Sequence, residues 1–276
     1  MNRTLIQRIG IGLIPFIVSA CALAGWAQSA LAREDARARL VKAEAMFAER
    51  CKTAGEKIYR TAENVEGIFL MKIRPKEINY GDQFKMDDPY GRDLGGEGYI
   101  QSFARGFETR QSQFASGSPP RLGYRYVEAI DPKDGKRYRY TGRIDQPSLR
   151  DKRYGEWVRE FVLDKVPATG PAPRYGVTYD DISTREEREY WIAGSSLRVI
   201  DLKTNEVMAE RIGYMMDRGQ GNNSGGRSPW LLAAEHACPT FQRNPLRPLQ
   251  AGHGASAQQL QTEDFVEKVL KPVLEN

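Results

Sequence analysis

The stretch LGYRYVEAIDPKDGKRYRYTGRI, Leu122 to Ile144, decides how the rest of the chain is read. Two runs rich in tyrosine and β-branched residues, Leu122–Ile130 and Lys136–Arg143, flank Asp131-Pro132-Lys133-Asp134-Gly135, a segment built of turn formers. Alternating side chains around such a segment specify an antiparallel hairpin. Tyr124 and Tyr126 fall on one face of the first strand, and Tyr138 and Tyr140 share a face on the second. Arg125, Arg137 and Arg139 take the alternate positions.

Working outward, a second hairpin is expected further on. Glu189–Ile200 and Val207–Met216 read as long strands around a tight turn through Asp201, Lys203, Thr204 and Asn205, with Met208, Ile212, Tyr214 and Met216 on the buried face. GIFLMKIRP, starting at Gly67 and closed by Pro75, reads as a short buried strand. Before it, Leu40, Ala43, Phe47, Cys51, Ala54, Ile58, Ala62 and Val65 recur at steps of three and four, which predicts one long amphipathic helix. Tyr154, Trp157, Val158, Phe161 and Val162 have helical spacing too, so a short helix is expected there. Ser228-Pro229 is a good N-cap and first helical position for PWLLAAEHAC, and TEDFVEKVLK reads as a capped helix from Thr262, stopped by Pro272. The segment NYGDQFKMDDPYGRDLGGEGYIQ reads as loop. The expectation is an α+β fold: an antiparallel sheet of about five strands, the long N-terminal helix packed on it, and short C-terminal helices. A body of residues 33–276 is long enough to bury one core without a second domain.

The N-terminal 32 residues are a separate matter. Arg3 and Arg8 precede an uncharged run from Ile9 to Ala27, and Arg33, Glu34, Asp35 and Arg37 follow it. A positive start, an apolar middle and a small-residue exit make the pattern of a secretory signal. Ala30-Leu31-Ala32 suits ordinary cleavage before Arg33; Val18-Ser19-Ala20-Cys21 resembles a lipobox, with Cys21 the lipidation candidate; an uncleaved anchor is the third reading. All three carry the body across a membrane, into a periplasm or cell envelope, with attachment to the membrane through the N-terminus in two of them. Cys51 and Cys238 are then the two cysteines of the exported body, and an even pair in an oxidising compartment predicts a disulfide.

Chemistry is sparsely written. Asp82, Asp87, Asp88 and Asp93 offer oxygen ligands, but not at EF-hand spacing, and no metal or cofactor is implied. The glycine-rich loop DRGQGNNSGGRSPW lacks the P-loop and dinucleotide signatures, although Arg227 beside a helix start is suited to an anion. His236, between Glu235 and Cys238, has only His253 as a second histidine, and neither Gly194-Ser195-Ser196 nor Ser116-Gly117-Ser118 makes a nucleophile elbow. Glu156/Glu160 and Asp180-Asp181 are carboxylate pairs of an ordinary kind.

The hairpin is the one positive signal. Tyr124, Tyr126, Tyr138 and Tyr140 interleaved with Arg137 and Arg139 suit a stacking, anion-attracting surface, and the plainer reading of the same residues is cross-strand packing. In an exported chain the partner is a protein or an anionic envelope polymer and not nucleic acid. The sequence thus points to a non-enzymatic binding protein, an inhibitor or immunity-type protein included. The alternative is a hydrolase of an envelope polymer that works with two carboxylates, which would face each other across a cleft with one pKa raised.

Overall fold

The computed structural model describes residues 14–76, 82–85, 88–90, 95–115, 122–241, 258 and 261–273, with side chains from residue 33 onward except 107–115. In chain order the elements are α1 (Ile14–Cys51), β1 (Gly55–Ile58), β2 (Ala62–Val65), β3 (Gly67–Leu70), α2 (Glu97–Ala115), β4 (Tyr126–Ile130), β5 (Arg137–Asp145), β6 (Glu160–Pro167), β7 (Tyr175–Asp181) and α3 (Arg185–Glu189). They continue with β8 (Ile192–Asp201), β9 (Glu206–Met216), α4 (Pro229–Ala233), β10 (Ala237–Cys238), α5 (Gln261–Val269) and β11 (Leu270–Pro272).

Nine strands form one mixed sheet in the order β1-β9-β8-β7-β3-β4-β5-β6, with β10 also on β9, and β2 pairs with β11 in a separate parallel ribbon. The expected sheet of about five antiparallel strands is therefore corrected on two counts. Most pairs are antiparallel, but β3 runs parallel to both β4 and β7. A parallel neighbour requires a crossover, and α2 supplies it between β3 and β4.

The expected long helix packed on the sheet is corrected as well. Among the described side chains of α1, those from Arg33 to Arg39 are all exposed. Only the last turns reach the body, through Ala43, Met46 and Phe47, which meet Ile192, Tyr214 and Met216. The helix stops at Cys51, short of Val65, and Gly55 at φ +147° begins β1 instead. Ile58, Ala62 and Val65 satisfied a helical spacing by coincidence, since short strands with a turn between them place apolar residues three and four apart as readily. No helix among the described residues is long and apolar enough to cross a membrane. The side chain of Cys21 lies outside those described, as do Arg3 and Arg8.

Strand alternation sorts the sheet into two faces. Ile68, Leu70, Val127, Ala129, Tyr140, Val177, Tyr179, Leu197, Val199 and Ala209 line one of them. They are covered by Tyr99, Ile100, Phe103 and Ala104 of α2 and by Phe265, Val266 and Val269 of α5. Under α4, Trp191, Ala193, Met215, Trp230 and Ala233 extend the core along that face. The segment expected as a helix around Trp157 is a loop followed by β6, in which Phe161 and Leu163 alternate into the core while Val162, Asp164 and Val166 face the other way. α4 is a single turn, and the chain beyond it returns as β10, antiparallel to β9.

Candidate functional site

The opposite face of the sheet carries the polar side chains of β4 and β5. The register sets Tyr126 against Thr141, Glu128 against Arg139 and Ile130 against Arg137, so these six share that face. Gly67 of β3 stands opposite Tyr126, and a Cβ there would come within 2.3 Å of the tyrosine ring. The ring is thus held down over the glycine. The Arg139 guanidinium carbon lies 4.1 Å from the Tyr126 ring centroid, and its Nη2 is 2.8 Å from Oε1 of Glu128. Arg137 Nε comes within 3.3 Å of the second carboxylate oxygen, as a charge contact without hydrogen-bond geometry.

Glu128 is fully buried beneath these two cations, whereas the Arg139 side chain is 40% exposed. One carboxylate under two guanidiniums leaves a unit of positive charge facing out. Further polar pairs lie across the face, where Asp180 takes Lys72 Nζ at 2.8 Å and also Arg198, Ser196 donates to Glu210 at 2.9 Å, and Arg143 meets Asp164 at 3.0 Å. No described helix packs on this part of the face, and Met71, Ile130 and Val166 are exposed on it among the charges.

The hairpin residues singled out from sequence are divided by the sheet. Tyr126, Arg137 and Arg139 lie on the open face. Tyr124, Tyr138 and Tyr140 do not join them. Tyr124 is buried against Phe103, with its hydroxyl donating to the Leu270 carbonyl at 2.7 Å. Tyr140 is buried beside it in the same core, and Tyr138, half-buried, donates to Asp134 at 2.7 Å and carries Lys165 Nζ 3.8 Å from its ring centroid. Arg227 is engaged by its own loop, because the buried Asp217 accepts from Arg227 Nη1 at 2.9 Å and from the backbone of Gly219 and Gly221 at 3.0 and 2.8 Å. The anion suggested for Arg227 is thus a side chain of this protein.

His236 is half-buried, and burial, followed by the charge of Arg218, holds its imidazole below the usual pKa. Asp82 caps the backbone of Phe84 at 2.9 Å, while Asp87, Asp93, His253 and Ser116–Ser118 lie outside the described residues. Cys51 and Cys238 form a disulfide, with Cα atoms 5.6 Å apart. It joins the end of α1 to β10, tying together the two segments that flank β9 on its outer edge.

One polar cluster was not assembled from the sequence, which offered Asp88 only as an oxygen ligand and Ser195 only as a failed nucleophile. Asp88 Oδ2 accepts from Arg74 Nη1 and from the Ser195 hydroxyl, each at 2.8 Å, and Arg74 lies 4.0 Å from the Tyr179 ring centroid. Next to this pair, Arg74, Tyr90, Ser195, Leu197, Arg211, Gln261 and Thr262 line a small cavity of about 10 Å³. Gln261 Oε1 and Thr262 Oγ1 have no hydrogen-bond partner among the described residues, and unsatisfied groups around so small a space suit a bound water. Burial pushes the Asp88 carboxyl up against the opposing pull of Arg74. A raised carboxylate is half of what polymer hydrolysis needs, yet Asp88 is buried at 2% exposure, where a polymer does not reach it. Arg74 and Arg211 inside apolar runs were the available signal, since a buried guanidinium demands a buried partner.

No family model, curated protein or solved structure matches this chain. Function has to be argued from the site alone.

Proposed function

We propose that this chain is an exported, non-enzymatic binding protein that works in the cell envelope and recognises an anionic envelope polymer on the open face of its sheet. The observation that carries the reading is the Tyr126–Arg139–Glu128–Arg137 cluster: a guanidinium stacked on a ring, fixed from below by a buried carboxylate, with surplus positive charge outward. A pre-positioned arginine loses little side-chain freedom on meeting a phosphate or carboxylate, and its planar fork matches either group. The other cations of the face, Lys72, Arg143 and Arg198, are held by their own ion pairs and extend the surface over several strands. An extended ligand suits that layout better than a small molecule, which prefers a concave pocket.

Export is supported by the N-terminal charge pattern and by the Cys51–Cys238 disulfide, a bond typical of oxidising compartments. Affinity capture from an envelope fraction tests the proposal, with the wild-type protein and a Tyr126→Ala/Arg139→Lys variant as baits. Recovery of an acidic polymer by the wild type and its loss with the variant are expected. Equal recovery by both would remove the open face from the account.

A further inference from the structure

The loop between β5 and β6 exposes the side chains that a helix there would have buried. It is braced internally, with Gln146 Nε2 donating to the Glu156 carbonyl at 2.8 Å, Asp145 accepting from Arg143 at 3.1 Å and from Arg150 at 3.0 Å, and Asp151 accepting the Arg153 backbone N–H at 3.0 Å. From this frame Trp157 projects at 84% exposure and Leu149 at 73%, the two most exposed large apolar residues among those described, with Tyr154 exposed between them in sequence. Arg150, Lys152, Arg153 and Arg159 are interspersed with them in sequence, along with Asp151 and Glu156, and the Arg153 side chain is 90% exposed while its Nη2 pairs with Asp151 at 2.7 Å.

We propose that the loop from Leu149 to Arg159 docks on the anionic surface of a lipid bilayer, with Leu149 and Trp157 entering the boundary between headgroups and acyl chains while Arg150, Lys152 and Arg153 lie against lipid phosphates. Tryptophan and tyrosine favour that boundary because they join an apolar ring to a hydrogen-bonding tip. Adjacent lysine and arginine gain from the negative surface potential of an anionic leaflet. A protein partner fits less well, since interface cores are depleted of charge, and here each apolar side chain is separated from the next by charged residues. Two of the three readings of the N-terminal apolar stretch also hold the chain at a membrane. This inference concerns a loop distinct from the Tyr126–Arg139 face, so either can fail without the other.

The test uses the full-length chain carrying Trp26→Phe, which removes the tryptophan of the N-terminal apolar stretch. It is reconstituted into vesicles of phosphatidylethanolamine and phosphatidylglycerol with brominated acyl chains, which quench tryptophan only at close range. Trp191 and Trp230 are buried in the protein and stay out of reach, so quenching reports on Trp157. Strong quenching is expected on these vesicles. It should vanish with Trp157→Phe, and weaken with Lys152→Glu/Arg153→Glu or on neutral phosphatidylcholine vesicles. Trp157 sits in solvent, so its replacement leaves the fold unchanged. Three results would overturn the proposal: no Trp157-dependent quenching, equal quenching on neutral vesicles, or a Trp157 that becomes shielded only when envelope proteins are added.

Discussion

Cys51 and Cys238 stand 187 positions apart in sequence with their Cα atoms 5.6 Å apart, joined across the outer edge of β9. A cross-link over so long a loop removes much of the freedom of the unfolded chain, for which the entropy model gives about 5 kcal/mol and measured cases more often run ~2–4 kcal/mol. A Cys51→Ser/Cys238→Ser variant is therefore expected to lose about 2–4 kcal/mol in urea denaturation. Non-reducing peptide mapping should find the two cysteines in one cross-linked species. A variant as stable as the wild type would show that β1 and β10 hold their places without the bond.

This disulfide was legible because two cysteines outside the N-terminal apolar stretch leave one pairing, and the two long hairpins were legible because each carries its own turn. Asn205, at φ +59°, closes β8 onto β9, and Gly135, at φ +68°, helps to close β4 onto β5. The parallel pairing of β3 with β4 and β7 left no local mark, since it rests on contacts between segments distant in sequence. α2 was missed although Tyr99, Ile100, Phe103 and Ala104 make a short helical stripe, because the glycines before it mask its start. Ahead of and into β6, Tyr154, Trp157 and Phe161 mimic a helix, while the period of two in Phe161–Leu163 is what the sheet uses. As for the site, alternation along one strand was readable, but which face the helices would cover was not. That is why Tyr126 and Tyr138 were grouped together and lie on opposite sides.

Gly213 of β9 permits the close approach of Tyr90, for a Cβ at this position would stand 1.9 Å from the tyrosine hydroxyl. Tyr90 is buried in the cluster beneath α4 and cannot swing into solvent without opening it. Gly213→Ala is expected to cost ~1–3 kcal/mol, the usual penalty for forcing extra volume into a packed core. Thermal denaturation measures it, and an unchanged melting temperature would mean that Tyr90 has another place to go.

Asp201 ends β8 fully buried, with Arg174 and Arg60 each 2.8 Å from Oδ2. The hydrogen bonds from Arg174 hold its carboxyl below the ordinary range. The folded state thus binds the proton more weakly than the unfolded chain, whose Asp titrates near ~3.9. The stabilisation from this group is complete above that value and is lost as the pH falls below it toward the folded pKa. Urea midpoints compared at pH 6 and pH 3 should fall less in Asp201→Asn than in the wild type, and equal falls in both proteins would exclude Asp201 from the acid response.

Arg139, stacked on Tyr126 and fixed by Glu128, is the residue we propose to read an anionic polymer. Arg139→Lys tests it most directly, because it keeps the charge that balances Glu128 while removing the planar fork and the stack. Titration of wild type and variant onto an immobilised anionic envelope polysaccharide, at low and at physiological salt, is the deciding measurement. Salt-sensitive binding by the wild type, a loss of affinity on the order of ten-fold in the variant, and melting temperatures that stay together are expected. Equal affinity of the two proteins, or a melting temperature that falls as binding does, would contradict it.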